Sequence, residues 1–113
     1  MSGAEFEEYM MRIFKKLGYG VEGTPLTGDQ GADIILVKKS GLFKKQRKIA
    51  VQVKRYSGNV SNKAVQEVVA AKAFYQCTDG LVVTNSYFTA SAIELAKVND
   101  IELIDRDKLK TMI

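Results

Sequence analysis

Lys48-Ile49-Ala50-Val51-Gln52-Val53-Lys54-Arg55-Tyr56 decides the reading of this chain. Ile49, Val51 and Val53 fall on one face of an extended strand and Ala50, Gln52 and Lys54 on the other, the period of two that a β-strand imposes. One face is ready for a core. The other carries an amide and an ammonium two residues apart, groups that a half-buried sheet does not hold side by side without a reason. Upstream, the turn-forming cluster Thr27-Gly28-Asp29-Gln30-Gly31 leads into an apolar, β-branched stretch from Ala32 to Lys39 that predicts a second strand. Asp33 opens it. Ser40 to Arg47, with Gly41, reads as the loop that returns the chain.

Working outward, Phe6, Tyr9, Met10, Ile13, Phe14 and Leu17 form one apolar stripe at helical spacing. Ser2 with Glu5 reads as a capping box and Gly18 as the stop, so a helix is predicted over about 3–17. A short strand is expected at 19–22. After the turn Ser57-Gly58-Asn59, Ser61 is placed to cap a helix of about 62–75 with Val65, Val68, Val69 and Ala73 inward. Leu81 to Thr84 predicts a strand, Thr89 to Val98 a helix, Ile101 to Ile104 a last strand, and Asp105 the cap of a final helical turn. The order is α-β-β-β-α-β-α-β. An antiparallel meander followed by β-α-β crossovers gives an α/β fold with a mixed sheet of about five strands flanked by helices.

Composition bounds the chemistry. At 113 residues, the chain is read as one domain, 1–113. It has no His and a single cysteine, Cys77, which excludes an imidazole base, a Ser-His-Asp triad, a His-ligated zinc and an internal disulfide. Metal chemistry here must use oxygen ligands. No apolar run approaches the roughly 20 residues of a membrane span, and the N-terminus lacks a signal-peptide layout. The expectation is a cytoplasmic protein with no membrane partner, and Cys77 a small packed residue.

Charge is unevenly spread. Between Asp33 and Glu67 there is no acid, but there are nine basic residues: Lys38, Lys39, Lys44, Lys45, Arg47, Lys48, Lys54, Arg55 and Lys63. That window carries +9 and the rest of the chain −5. Lys44 to Lys48 alone would be explained by a solvated hairpin tip guarding an edge. The whole window points instead to a polyanion.

If the two strands pair as neighbours, Asp33, Gln52 and Lys54 converge at one spot. A hard cation such as Mg²⁺ takes oxygen ligands and keeps several waters, so a carboxylate, an amide or main-chain carbonyl and a substrate phosphate make a sufficient set. Such an ion acidifies water and neutralises phosphoryl charge without any His, and Lys54 would orient that water or meet growing charge on phosphorus. The spacing by itself fits equally an Asp33 that caps its turn and a Lys54 in solvent.

The succession Phe6-Glu7, Leu17-Gly18-Tyr19, Thr27-Gly28-Asp29-Gln30-Gly31-Ala32-Asp33, Val51-Gln52-Val53-Lys54-Arg55-Tyr56, then Val82-Val83-Thr84-Asn85 with Phe88-Thr89 resembles the catalytic domain of the Mrr-like restriction endonucleases. These belong to the PD-(D/E)XK nuclease superfamily, in the variant with Gln in place of the third-motif acid. The similarity covers nearly the whole chain and is specific only in combination. It implies a restriction-endonuclease-like fold and a metal-dependent DNA endonuclease using Mg²⁺, with Mn²⁺ as substitute. Asp33 then matches the metal-binding acid, Gln52 the residue replacing Glu, Lys54 the catalytic lysine, and the Val53 carbonyl a main-chain metal ligand. Glu7 matches the first-helix acid that holds a second ion or a water, although a first-turn Glu is also favoured by the helix dipole. Glu5 is accounted for by the cap, and Asp29 by its turn. A neutral Gln52 lowers the charge of the site by one, which predicts weaker metal binding and slow or Mn²⁺-dependent activity.

Arg55, Tyr56, Asn59 and Lys63 follow the candidate strand where a DNA backbone would pass, and Gln66 starts the next helix. Three further readings compete: a structure-specific nuclease similar to Holliday junction resolvases, a catalytically silent DNA-binding module, and a scaffold domain whose basic hairpin serves solubility. Mrr-like enzymes usually carry a separate recognition domain, for which 113 residues leave no room. Cutting both strands generally takes two sites, so a homodimer on DNA is expected.

Overall fold

The computed structural model describes residues 1–23, 33–38 and 46–113. The Thr27–Gly31 turn, the start of the second strand at Ala32, and the loop with Lys39, Lys44 and Lys45 lie outside them. Helix α1 spans Gly3–Lys16, and its start is set by a reciprocal cap: Glu5 N donates to Ser2 Oγ at 3.1 Å and Ser2 N to Glu5 Oε1 at 3.0 Å. Gly18, at φ +95°, turns the chain out of the helix into a conformation that a side chain would strain.

Strands β1 (Gly20–Gly23), β2 (Ile34–Lys38) and β3 (Arg47–Lys54) form an antiparallel meander. Helix α2 (Asn62–Phe74) then returns the chain to β4 (Asp79–Thr84), parallel to β3, and α3 (Ala90–Val98) to β5 (Ile101–Ile104), parallel to β4. Helix α4 (Arg106–Met112) closes the fold, capped by Asp105, whose carboxylate accepts the Lys108 N–H at 3.0 Å. The sheet order β1-β2-β3-β4-β5 is the mixed five-stranded arrangement that the sequence predicts.

The alternation in β3 divides the core in two. Ile49 and Val51, with Ile34, Leu36, Leu81 and Val83, pack under Phe6, Met10 and Phe14 of α1 and Leu109 of α4. Ala50, with Ile35 and Val82, packs under Ala64, Val65, Val68 and Ala71 of α2 and Ala92 and Ala96 of α3. The two crossover helices α2 and α3 thus share one face of the sheet, and α1 and α4 cover the other.

Three local expectations need correction. Ala73 faces solvent, whereas Ala64 and Ala71 face the core; Ala73 is eight residues past Val65, about 80° round from it at helical pitch. Ser61 occupies the cap position of α2, but its side chain makes no capping hydrogen bond. Strand β3 runs Arg47–Lys54, so Arg47 belongs to the sheet rather than the loop, and Arg55 and Tyr56 have left it.

Candidate active site

The site lies where β2 begins and β3 ends. Asp33 directly precedes β2; its main-chain N–H donates to Val51 O at 2.9 Å, and its Oδ2 accepts the Val53 N–H at 2.8 Å. Ile34 pairs with Val51 and Ile35 with Ala50, and Asp33, one residue before the ladder, is tied to β3 at Val51 and Val53, the residues on either side of Gln52. Lys54 is two residues on, on the face shared with Ala50 and Gln52. The sheet therefore brings Asp33, Gln52 and Lys54 to one end of the hairpin.

Burial and charge shape the group. Burial raises the proton affinity of Asp33; the Val53 N–H and the Lys54 ammonium oppose that rise, and the negative charge of Glu67 adds to it. Glu7, on the first turns of α1, is half-buried, while its neighbours Glu5 and Glu8 are exposed. Its carboxyl is raised by burial and then by the charge of Asp33, so α1 delivers a second carboxylate within electrostatic reach of the first. Gln52 is only 5% exposed. Its Nε2 donates to Glu67 Oε2 at 2.5 Å, and its Oε1 is buried with no hydrogen-bond partner among the described residues. Lys54 Nζ lies 3.7 Å from that same Glu67 oxygen.

Glu67 is the member that sequence reasoning missed. It had a signal: Ala64, Glu67, Val68 and Ala71 are spaced i, i+3, i+4, i+7 on α2, so Glu67 is a charged residue on the inward phase of a helix. Gln66, one position earlier, is exposed and donates to Asn62 Oδ1 at 3.1 Å, and Asn62 in turn donates to Ser91 Oγ at 2.8 Å. That ties Gln66 to the α3 side of the helix.

Around the site, Arg55, Tyr56, Asn59 and Lys63 are exposed. The Tyr56 N–H donates to Asn85 Oδ1 at 2.8 Å, which fastens the turn after β3 to the turn after β4. Val60 then bridges to Phe88. Lys54, Tyr56, Lys63 and Glu67 line a recess of about 70 Å³. Thr84 is fully buried and its Oγ1 accepts the Ser86 N–H at 3.1 Å, a local turn contact.

Among the described residues, the basic window does not form one patch. Lys38, Arg47 and Lys48 sit at the far end of the β2–β3 hairpin, about 23 Å from Lys54 along eight residues of strand. There Arg47 pairs with Asp79 at 3.2 Å and Lys38 lies 5.0 Å from the Tyr19 ring centroid. Lys54, Arg55 and Lys63 remain at the site.

No group of three or more His, Cys, Asp or Glu side chains suited to a metal occurs among the described residues. The donors on hand are hard oxygens: two carboxylates and a buried amide oxygen without a partner among those residues. That set fits an oxygen-seeking divalent cation that keeps water and substrate oxygens in its shell, and not a thiolate- or imidazole-seeking one.

The helix-flanked mixed sheet, with an acid, an amide and a lysine at the end of its hairpin, has a restriction-endonuclease-like fold. Solved structures share it. The DNA modification-dependent restriction endonuclease AspBHI superposes with a TM-score of 0.77 at 20% identity, covering 96% of this chain and 30% of that one. The MspJI restriction endonuclease, solved in complex with a 27-mer oligonucleotide, gives 0.67 at 22%, covering 95% and 26%. The family model described as Restriction endonuclease, Mrr_cat, matches residues 1–113, and the chain belongs to that family of Mrr-type catalytic domains. It is 32% identical over 116 residues to the type IV methyl-directed restriction enzyme EcoKMrr of Escherichia coli strain K12, covering 96% of this chain and 37% of that enzyme. The chain thus spans well under half the length of these relatives. No described helix is long and apolar enough to cross a membrane.

Proposed function

We propose that this domain hydrolyses DNA phosphodiester bonds with Mg²⁺, for which Mn²⁺ can substitute, at the end of the β2–β3 hairpin. The observation that carries this is the convergence of Asp33, Gln52 and Lys54 on one end of the sheet, with the Gln52 amide oxygen buried and without a protein partner among the described residues. Asp33, Gln52 Oε1 and the Val53 carbonyl would hold the cation, and Glu7 would add the negative charge that a neutral Gln52 lacks. When bound, the ion acidifies a water and neutralises phosphoryl oxygens.

The chain's own residues do the rest. Asp33 is positioned by the Val53 N–H, so its carboxylate enters the site already oriented. Lys54 donates to the attacking water or to a non-bridging phosphoryl oxygen, where negative charge grows as the water oxygen bonds to phosphorus and the bridging P–O bond breaks. Arg55, Tyr56, Asn59 and Lys63 contact the backbone of the duplex, and Gln66 lies at the margin of that surface. DNA as partner is supported by the family and by the oligonucleotide in the MspJI structure. Target choice would reside in parts of the longer relatives outside the matched stretch, and cleavage of both strands would use a homodimer on DNA. A lone, half-buried free Cys77 suits the reducing cytoplasm.

The test is cleavage of plasmid DNA, linear duplex and a four-way junction with Mg²⁺ or Mn²⁺. Activity should vanish in EDTA, in Asp33→Ala and in Lys54→Ala. Cleavage that survives all three rejects the site, salt-dependent binding without nicking marks a silent module, and junction-only cleavage marks a structure-specific nuclease.

A further inference from the structure

We propose that Glu67 is a positioning residue: it fixes which end of the Gln52 amide is held by α2 and so leaves the oxygen for the cation. This rests on the metal-dependent reading of the site given above. A carboxylate only accepts hydrogen bonds, whereas an amide has one accepting and one donating end. With Glu67 Oε2 2.5 Å from the Gln52 nitrogen, rotating the amide would set two oxygens against each other at that separation. One orientation survives. The end turned away is Oε1, buried and unpartnered among the described residues, a condition that native cores rarely tolerate unless a ligand completes it.

The same carboxylate does two further things. Its Oε2 lies 3.7 Å from Lys54 Nζ, so one atom on α2 spaces both the amide and the ammonium along the strand. Its negative charge also acts on Asp33, which restores to the site a charge that the strand lost by carrying Gln rather than Glu. The helix can deliver it because Glu67 lies on the stripe of Ala64, Val68 and Ala71 that packs α2 on the sheet. Gln52 and Glu67 then work as a divided carboxylate, the donor oxygen on the strand and the charge on the helix.

The measurement compares wild type, the single variant Glu67→Gln and the reciprocal exchange that combines Gln52→Glu with Glu67→Gln, each checked for cooperative unfolding. In metal-free wild type, one Gln52 side-chain amide proton should resonate downfield and exchange slowly by NMR, and should move upfield and exchange faster in Glu67→Gln. Mn²⁺ affinity by calorimetry should fall about tenfold to a hundredfold in Glu67→Gln, the usual effect of losing an outer-shell partner. It should return in the reciprocal exchange, where an amide on the helix can donate to a carboxylate on the strand. Unchanged Mn²⁺ affinity in Glu67→Gln, or no recovery in the exchange, overturns the role of Glu67 alone. A wild-type protein that takes up no Mn²⁺ overturns the metal-dependent reading first, and is told apart because it fails before any substitution.

Discussion

The carboxylate of Asp33 accepts the main-chain N–H of Val53 across the hairpin at 2.8 Å. A residue read as a metal ligand is therefore also a structural acceptor, taking a strand N–H where β2 begins. The two roles come apart under substitution. Asp33→Asn keeps an oxygen for Val53 and removes the charge, whereas Asp33→Ala leaves the N–H unpaired, a loss of about 1–3 kcal/mol. Both should abolish cleavage, but only Asp33→Ala should lower the thermal midpoint. A comparable drop in Asp33→Asn would show that the charge, rather than the acceptor, holds the strand.

Charge at this end of the sheet is costly in the absence of metal. Burial raises the proton affinity of both Asp33 and Glu7, so the folded state holds protons that the unfolded state has released. For an acid shifted upward, lowering the pH through its folded value adds stability, and the gain is complete below its unfolded value. In EDTA, Glu7→Gln should accordingly melt higher than wild type at about pH 8, and the difference should shrink towards about pH 4. A difference that is constant across that range would place its origin elsewhere than in ionisation.

A cation that binds only the folded site must stabilise it. At a concentration a hundredfold above its Kd the gain is about 2.7 kcal/mol. Mg²⁺ or Mn²⁺ should raise the midpoint of the wild-type domain, EDTA should reverse the rise, and Asp33→Asn should show none. An equal rise in wild type and Asp33→Asn would locate the ion away from Asp33.

Lys54 separates stability from chemistry. Its partner Glu67 is 3.7 Å away and both side chains are partly exposed, so the pair contributes at most about 1 kcal/mol. Lys54→Met should fold with nearly the wild-type midpoint and retain DNA binding, while single-turnover cleavage falls about 10²–10³-fold, the usual cost of one transition-state donor. Cleavage within a few fold of wild type would remove Lys54 from the reaction.

What was legible in the sequence was local. The period of β3 and the Ser2–Glu5 cap each rest on residues a few positions apart, and both stand in the structure. The parallel pairing of β3 with β4 and of β4 with β5 follows from the helix between each pair, and it too stands. Bringing Asp33 to the same end of the hairpin as Gln52 needed only that two neighbouring strands join, and Asp33 is bonded there to Val51 and Val53. Glu67 needed more: which side of α2 meets β3 depends on how Ala64, Val65 and Val68 settle on Ala50 and Val82, a tertiary matter. Tyr56 lies past the end of the strand, where Asn85, 29 residues on, accepts its N–H. Nothing in the residues beside Tyr56 announces that.

Charge, like packing, depends on where the fold carries each residue. A run of basic residues is a patch only if the chain keeps it on one side, and β3 carries Arg47 about 23 Å from Lys54. All four are exposed, but Arg47 is engaged with Asp79 and Lys38 with the Tyr19 ring at the far end, whereas Arg55 and Lys63 lie beside the site. DNA affinity should therefore fall in Arg55→Ala and Lys63→Ala, with the slope of log affinity against log salt shrinking by about one in each. Arg47→Ala and Lys38→Ala, which alter the net charge by the same amount, should leave both affinity and slope close to wild type. An equal effect from all four would mean that the protein meets DNA through its overall field rather than through the end of the sheet where Asp33, Gln52 and Lys54 converge.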